Sequence, residues 1–375
     1  MTLHAHVRTF TVEGISMRHF AVALFFIVFA TTAAAQPPSP GTFRVHAIDV
    51  GSGLSIFVEG ADFTLLYDAG SSDDTPPGRG NRVLAYLRAV RPDLRRIDHV
   101  ILSHPHLDHL SLMPDLLSAY EVSNVWDAGA VNPLCAYRLL LERVADNADI
   151  TYHHAAGGPG PHDASFPAQN CSGRSLPPAT ISLTRGIPIT REPVRLGERA
   201  SISILSGDGT IGVPNLHAGN LVVRLDLGSR RVLLPGDAEA GRRLGPQSPP
   251  DPGSTEARLL ECCAADIRAD VLVSPHHGSK TSSRSAFLDA VGATIYVVSV
   301  GPRLFAGVIN PDADVMREYL LRGSLWRTDI NDYGCALNPA KIGPDNDGKP
   351  GGCDNIRIFI DETGAMTPAY DNRAD

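Results

Sequence analysis

Lysine is almost missing from this chain of 375 residues, with only Lys280, Lys341 and Lys349 present. Lys and Arg number 33 against 41 Asp and Glu, giving a formal net charge of −8. No bulk attraction to nucleic acid or to an anionic membrane surface follows from that balance. A phosphate-bearing ligand would have to be held locally. The chain has no glycine-rich phosphate loop, so nucleotide-binding folds find little support. None of its six cysteines stands in C-x-x-C spacing, which argues against a zinc ribbon. There is no internal repeat and no low-complexity tail. After one early apolar run, no segment could cross a bilayer.

What the chain does have is an ordinary stock of core-forming residues, 43% hydrophobic and 6% aromatic, which excludes general disorder, a coiled coil and collagen. Glycine (35) and proline (29) are generous and predict long connections. Arg18 and His19 precede an apolar run from Phe20 to Ala30, followed by small residues ending in Ala33-Ala34-Ala35. That order of basic, apolar and small residues predicts a signal peptide over 1–35 and an exported protein, periplasmic or extracellular. Six cysteines beyond it suit an oxidising compartment. Cys335 with Cys353 is the favoured pair and Cys135 with Cys171 a second. Adjacent Cys262 and Cys263 read as structural on a helix, with a vicinal pair as the alternative.

A linker over 36–42 leads into one domain over 43–375. Short apolar runs at 43–50, 54–58, 63–67, 97–102, 200–205, 221–227, 231–234, 270–273, 294–298 and 356–360 predict strands. Helical spacing occurs at 81–90, 110–120, 135–145, 285–291 and 312–321, and a further helix starts from a Ser254 cap. The stretch at about 153–193 turns to Gly, Pro, Ser and Thr and predicts a loop-rich insertion. The class is α+β.

The densest chemistry is His104-Pro105-His106-Leu107-Asp108-His109, between a buried strand and a helix. Pro105 keeps His104 extended. Alternation in an extended loop then aligns His104, His106 and Asp108 on one side, with His109 turned to a neighbouring position. Such a set suits two metal ions about 3.5–4 Å apart. Nitrogen and oxygen donors without thiolate favour Zn or Mn.

This H-x-H-x-D-H run resembles the signature of the metallo-β-lactamase superfamily, and later segments are similar in order. Asp68 in Leu65-Leu66-Tyr67-Asp68-Ala69-Gly70 matches the family's early strand-ending acid, Asp237 in Leu234-Pro235-Gly236-Asp237 the bridging acid, and His276-His277-Gly278-Ser279 the last histidine. Asp49-Val50-Gly51-Ser52-Gly53 and the H-H-G-S-x-x-S run from His276 to Ser282 look like the ComEC-type competence hydrolases. The resemblance implies a four-layer αββα sandwich. It implies a first ion on His104, His106 and His217, with Asn220 the alternative to His217. A second ion would lie on Asp108, His109 and His276, and Asp237 would bridge the two. Either His276 or His277 can be that last ligand; His276, directly after its strand, is preferred, with His277 facing substrate. Asp68 would orient a ligand, and a hydroxide held between the ions would be the nucleophile. Ser279, Lys280 and Ser282, leading into a helix, would bind phosphate. The expected function is a phosphodiesterase or nuclease acting on phosphodiesters, with DNA as a candidate substrate. Hydrolysis of a small ester, lactone or β-lactam is the alternative, and a non-catalytic metal-binding relative the third reading.

Overall fold

The computed structural model describes residues 36–73, 81–157, 162–301, 304–305, 307–329 and 354–370. The expected signal peptide over 1–35 and the Cys335–Cys353 pair lie outside these residues.

In chain order the first half comprises β1 (Phe43–Ala47), β2 (Ile56–Glu59), β3 (Thr64–Tyr67), α1 (Arg82–Val90), β4 (Arg96–Leu102), α2 (Leu107–Leu110), α3 (Met113–Ala119), β5 (Glu121–Asp127), α4 (Cys135–Asp146) and β6 (Thr151–His154). Five short strands follow: β7 (His162–Phe166), β8 (Gln169–Cys171), β9 (Arg174–Leu176), β10 (Ala179–Leu183) and β11 (Gly186–Pro188). The second half holds β12 (Val194–Gly197), β13 (Ala200–Ser206), β14 (Val222–Leu227), β15 (Arg230–Leu234), α5 (Thr255–Cys263), β16 (Val271–Val273), α6 (Ser285–Val291) and β17 (Ile295–Val298). It closes with β18 (Leu304–Phe305), β19 (Val308–Ile309), α7 (Ala313–Arg322), β20 (Ser324–Arg327), β21 (Ile356–Ile360) and β22 (Met366–Tyr370).

Two large sheets result, ordered β11-β6-β5-β4-β3-β2-β1-β21-β22 and β12-β13-β14-β15-β16-β17-β20. In the first, β3 to β6 run parallel. In the second, β15, β16, β17 and β20 do. Parallel strands are covered on both faces and read as continuous apolar runs, as in Val100-Ile101-Leu102 of β4. One core lies between the first sheet and α1, α3 and α4, built on Leu66, Leu87, Leu116 and Leu140. A second, with Ile56, Leu65, Val223 and Val273, fills the space between the sheets. The third joins the second sheet to α5, α6 and α7 through Leu259, Phe287 and Tyr319. Helix, sheet, sheet, helix: the four-layer αββα sandwich is the observed architecture.

Local chemistry sets the element ends. Asn81 caps α1 by accepting from the Leu84 N–H, and Ser254 caps α5 by accepting from Ala257. The expected helix over 110–120 is two short ones, α2 and α3, with Pro114 in the first turn of α3. The 153–193 stretch, expected to be loop-rich, forms five short strands. β7 pairs with β10, β8 with β9, and β11 adds to β6 at the edge of the first sheet. Alternation of buried and exposed residues along β7 makes that pairing possible within a polar composition. Cys171 on β8 is disulfide-bonded to Cys135 at the start of α4. Cys262 and Cys263 form a vicinal disulfide at the end of α5.

Candidate metal centre

Ligand-bearing loops follow the C-terminal ends of β4, β15 and β16, parallel strands of both sheets, where open α/β sheets commonly place their sites. A fourth follows β13. After β4, the Ser103–His106 segment lays His104 inside the molecule, wholly buried, and α2 carries Asp108 and His109 inward while Leu107 stays exposed. That short segment is clamped by backbone. Leu54 N–H donates to the Asp108 carbonyl at 2.9 Å and Ala69 N–H to the His109 carbonyl at 2.8 Å. Gly70 lies against the backbone of Asp108 and His109 so closely that any Cβ there would collide with it.

Asp68, at φ 56°, ends β3 in the left-handed region. Its carboxylate accepts from the Ser103 N–H and Ser103 Oγ, each at 2.7 Å, and lies 2.8 Å from His109 Nδ1. That fixes the ring of His109 and leaves its Nε2 facing inward.

Two clusters of donor atoms face each other across Asp237. In the first, His106 Nδ1 lies 2.8 Å from His104 Nε2 and 3.0 Å from His217 Nε2. Asp237 Oδ2 stands 3.8 Å from His104 Nε2 and 3.5 Å from His217 Nε2. In the second, Asp237 Oδ1 stands 3.2 Å from His109 Nε2 and 3.7 Å from His277 Nε2, and Asp108 Oδ2 is 3.6 Å from His277 Nε2. One carboxylate thus turns a different oxygen to each cluster. Among the described residues four groups of three have ligand atoms close enough to hold an ion, and all belong to this centre.

Electrostatics agree with cation binding. Burial lowers the pKa of His104 well below the usual histidine value, aided by the nearby His109, and brings His106 to about 4. Both present free lone pairs at neutral pH. Burial raises the pKa of Asp237, but His109, His276 and His277 outweigh it and hold the carboxyl well below its ordinary range. Burial lowers the pKa of His109, yet Asp237 and Asp68 overcome this and raise it well above the ordinary value. Among the described residues, His109 Nε2, Asp237 Oδ1 and His277 Nε2 are buried with no well-aligned hydrogen bond, although His109 Nε2 and Asp237 Oδ1 lie 3.2 Å apart. Buried polar atoms are rarely left so, and three that converge in this way suit a divalent cation. The residues fit two metal ions.

The sequence expectation placed His276 beside Asp108 and His109; the structure puts His277 there instead. His276, His277 and Gly278 take φ of 50°, 53° and 76°, so the backbone coils left-handed and brings the second histidine, not the first, inward. His277 Nδ1 donates to the Ser299 carbonyl at 2.9 Å, fixing the ring. His276 Nε2 instead lies 3.7 Å from Asp237 Oδ2 on the His217 side.

Asn220, the alternative to His217, braces the acid's backbone. Its Oδ1 accepts from the Asp237 N–H at 3.2 Å and its Nδ2 donates to the Pro235 carbonyl at 2.6 Å. Gly236 is required between them: at φ 53°, a side chain would strike Asn220.

The expected phosphate-binding group is committed elsewhere. Lys280 Nζ pairs with Asp314 Oδ2 at 2.7 Å. Ser282 is buried and its Oγ bonds the Pro275 and Ser279 carbonyls. Ser279, also buried, accepts from Arg243, which pairs with Asp312. Acids contributed by the start of α7, some 30 residues downstream, capture charges that local sequence suggests are free.

Two residues escaped the sequence reading. Ser299 follows β17 without a distinguishing motif. Glu239, two positions after Asp237, stands 3.5 Å from His217 Nδ1 and 3.2 Å from His276 Nδ1. Its spacing from Asp237 was the available signal.

Residues 48–301 match the sequence pattern described as the metallo-beta-lactamase superfamily. Over 293 residues the chain is 24% identical to the "Uncharacterized protein YcaI" of Escherichia coli (strain K12), covering 78% of this chain and 29% of that one. It therefore spans under a third of that relative's length. Among solved structures it is similar to the metallo-beta-lactamase fold protein YhfI from Bacillus subtilis, with TM-score 0.41, 13% identity and coverage of 76% and 97%. It is also similar to CmlA, a diiron beta-hydroxylase from Streptomyces venezuelae, with TM-score 0.38, 16% identity and coverage of 78% and 54%.

Proposed function

The chain belongs to the metallo-β-lactamase superfamily, and from that premise we propose that it is an exported dinuclear metallohydrolase that cleaves phosphodiesters. The observation that carries the dinuclear reading is the split carboxylate of Asp237, with Oδ2 toward His104 and His217 and Oδ1 toward His109 and His277. His104, His106 and His217 would hold one ion, Asp108, His109 and His277 the other, and Asp237 would bridge. A set of nitrogen and oxygen donors suits Zn or Mn. When bound, the pair supplies Lewis acidity at a phosphoryl oxygen and a water acidic enough to attack near neutral pH.

The chain's own residues organise that chemistry. Asp68 holds the proton on His109 Nδ1, and the Ser299 carbonyl does the same for His277 Nδ1, so both rings present Nε2. His104 and His106, held neutral by burial, offer their lone pairs without first losing a proton. Asp108 is drawn to about 2: burial raises it, but His277 and His109 prevail, so it ligates as a carboxylate.

Phosphodiesters as substrates, DNA included, are supported by the Asp49–Gly53 and His276–Ser282 segments, which resemble the ComEC-type hydrolases. With Lys280 and Arg243 paired to acids, phosphate recognition falls to the ions. Export is supported by the sequence of residues 1–35 and by the disulfides Cys135–Cys171 and Cys262–Cys263. Purified protein with Mn²⁺ or Zn²⁺ should hydrolyse bis(p-nitrophenyl) phosphate or single-stranded DNA. No turnover with either metal would overturn the proposal. The same commitment of Lys280 and Arg243 to acids favours a second reading, a small ester, lactone or β-lactam; turnover of nitrocefin or a lactone in place of the phosphodiesters would select it.

A further inference from the structure

Asp237 and Glu239 are two residues apart and bracket the same pair of imidazoles. Each of these rings comes from a different loop: His217 from the turn Leu216–Gly219 before β14, His276 from the turn Pro275–Gly278 after β16. On the inner side, Asp237 Oδ2 stands 3.5 Å from His217 Nε2 and 3.7 Å from His276 Nε2. On the outer side, one oxygen of Glu239, Oε1, stands 3.5 Å from His217 Nδ1 and 3.2 Å from His276 Nδ1. Thr281 Oγ1, itself donating to Ser279 Oγ, lies 2.6 Å from His276 Nδ1. Among the described residues the partners of His276 Nδ1 are oxygens that can accept from it, which suits a proton on Nδ1 and turns Nε2 toward Asp237.

We infer that Glu239 is a positioning residue that gathers His217 and His276, giving the three-histidine side of the centre a fourth inward-facing imidazole. The inference rests on the metal-centre reading above. It distinguishes the two ion positions: His104, His106, His217 and His276 surround one end of Asp237, while Asp108, His109 and His277 surround the other. Glu239 does for the loop-borne rings what Asp68 does for His109. A carboxylate behind a ligand imidazole fixes its tautomer and rotation and commonly accounts for 10–100-fold in metal affinity.

The test is metal titration of the full chain, with dissociation constants measured by chelator competition and the absorption spectrum of the Co²⁺-loaded protein recorded alongside. Glu239→Gln should bind one of its two ions roughly 10–100-fold more weakly, with an altered Co²⁺ spectrum and an unchanged second ion. Glu239→Asp should recover part of the loss. His276→Ala should weaken the same ion and alter the spectrum in the same region, and it carries the test should Glu239→Gln not fold. Two unchanged dissociation constants and an unchanged Co²⁺ spectrum in these variants would overturn the role of Glu239 while leaving the dinuclear reading standing. Fewer than two ions on the wild-type chain would remove both.

Discussion

The two halves of the metal centre are built to different standards of enclosure. Asp108, His109 and His277 sit against the folded interior, with side chains 14%, 0% and 7% exposed. Each is fixed from behind by something the fold cannot easily move: Asp68 behind His109, the Ser299 carbonyl behind His277, and Leu54 and Ala69 N–H on the Asp108–His109 backbone. On the other half only His104 is fully buried, while His217 and His276 are 23% and 20% exposed and rest on a partly exposed Glu239. One half is thus preorganised by the cores of the sandwich and the other by loops. On the proposed reading, substrate approaches over the loop-borne half, and the enclosed half fixes the distance between the ions.

The sharpest way to break this comparison is to remove what the halves share. Asp237→Ala should reduce phosphodiester hydrolysis to the level of metal-free protein, because it deprives both positions of a ligand. A smaller and one-sided loss is expected next: His277→Ala should retain one ion and lose the other, whereas His276→Ala should only weaken binding, as read by metal analysis after dialysis. Equal losses in the two variants would erase the distinction drawn between the adjacent histidines.

Asp68→Asn should cost about 10–100-fold in affinity for the enclosed ion, with circular dichroism unchanged and the other ion retained. Acid should act on both halves. Against burial, Asp237 and Asp68 hold the proton of His109 above the ordinary histidine value, and Glu239 and Asp237 do the same for His217, so protons compete for both ions as pH falls. His104 and His106 stay neutral to lower pH, His106 to about 4. Metal content followed through a pH titration should fall for both ions together; loss of one ion with the other retained would contradict this.

A control lies outside the centre. Burial raises the pKa of Glu59, but His46, Arg91 and Arg44 outweigh it and bring it to about 2. Because the folded value is depressed below the ordinary 4.5, its stabilisation is full above that pH and lost as pH falls toward about 2. Metal-free protein should show that acid loss unchanged, and Glu59→Gln should remove it. The smallest effect is expected of Lys280→Ala. Its pair with Asp314 is solvent-screened and contributes little, and KM for a phosphodiester should barely move; a large rise in KM would return Lys280 to the substrate.

Much of this centre was legible in the sequence because its chemistry is local. Four ligand-competent side chains in the six residues His104–His109 need no tertiary knowledge to be noticed, and the family resemblance that run carries points to Asp68 and Asp237. The layered sandwich followed from the family resemblance those segments carry. Choices that depend on backbone hand or on distant partners were not legible. Adjacent His276 and His277 differ only through three successive left-handed residues. Lys280 is neutralised by Asp314, on a helix that local spacing cannot bring alongside. The strands of 162–188 pair through alternation too short to stand out from a polar, proline-containing stretch. The role of Glu239 exists only once two separate loops meet.

The central claim is that one carboxylate, Asp237, holds two ion positions together. Elemental analysis of the purified full chain, dialysed to remove loosely held metal, tests it most directly beside Asp237→Ala. The predicted result is two equivalents of a divalent ion in the wild type and less than one in the variant. A wild type holding one equivalent or none, or a variant that still holds two, would contradict it.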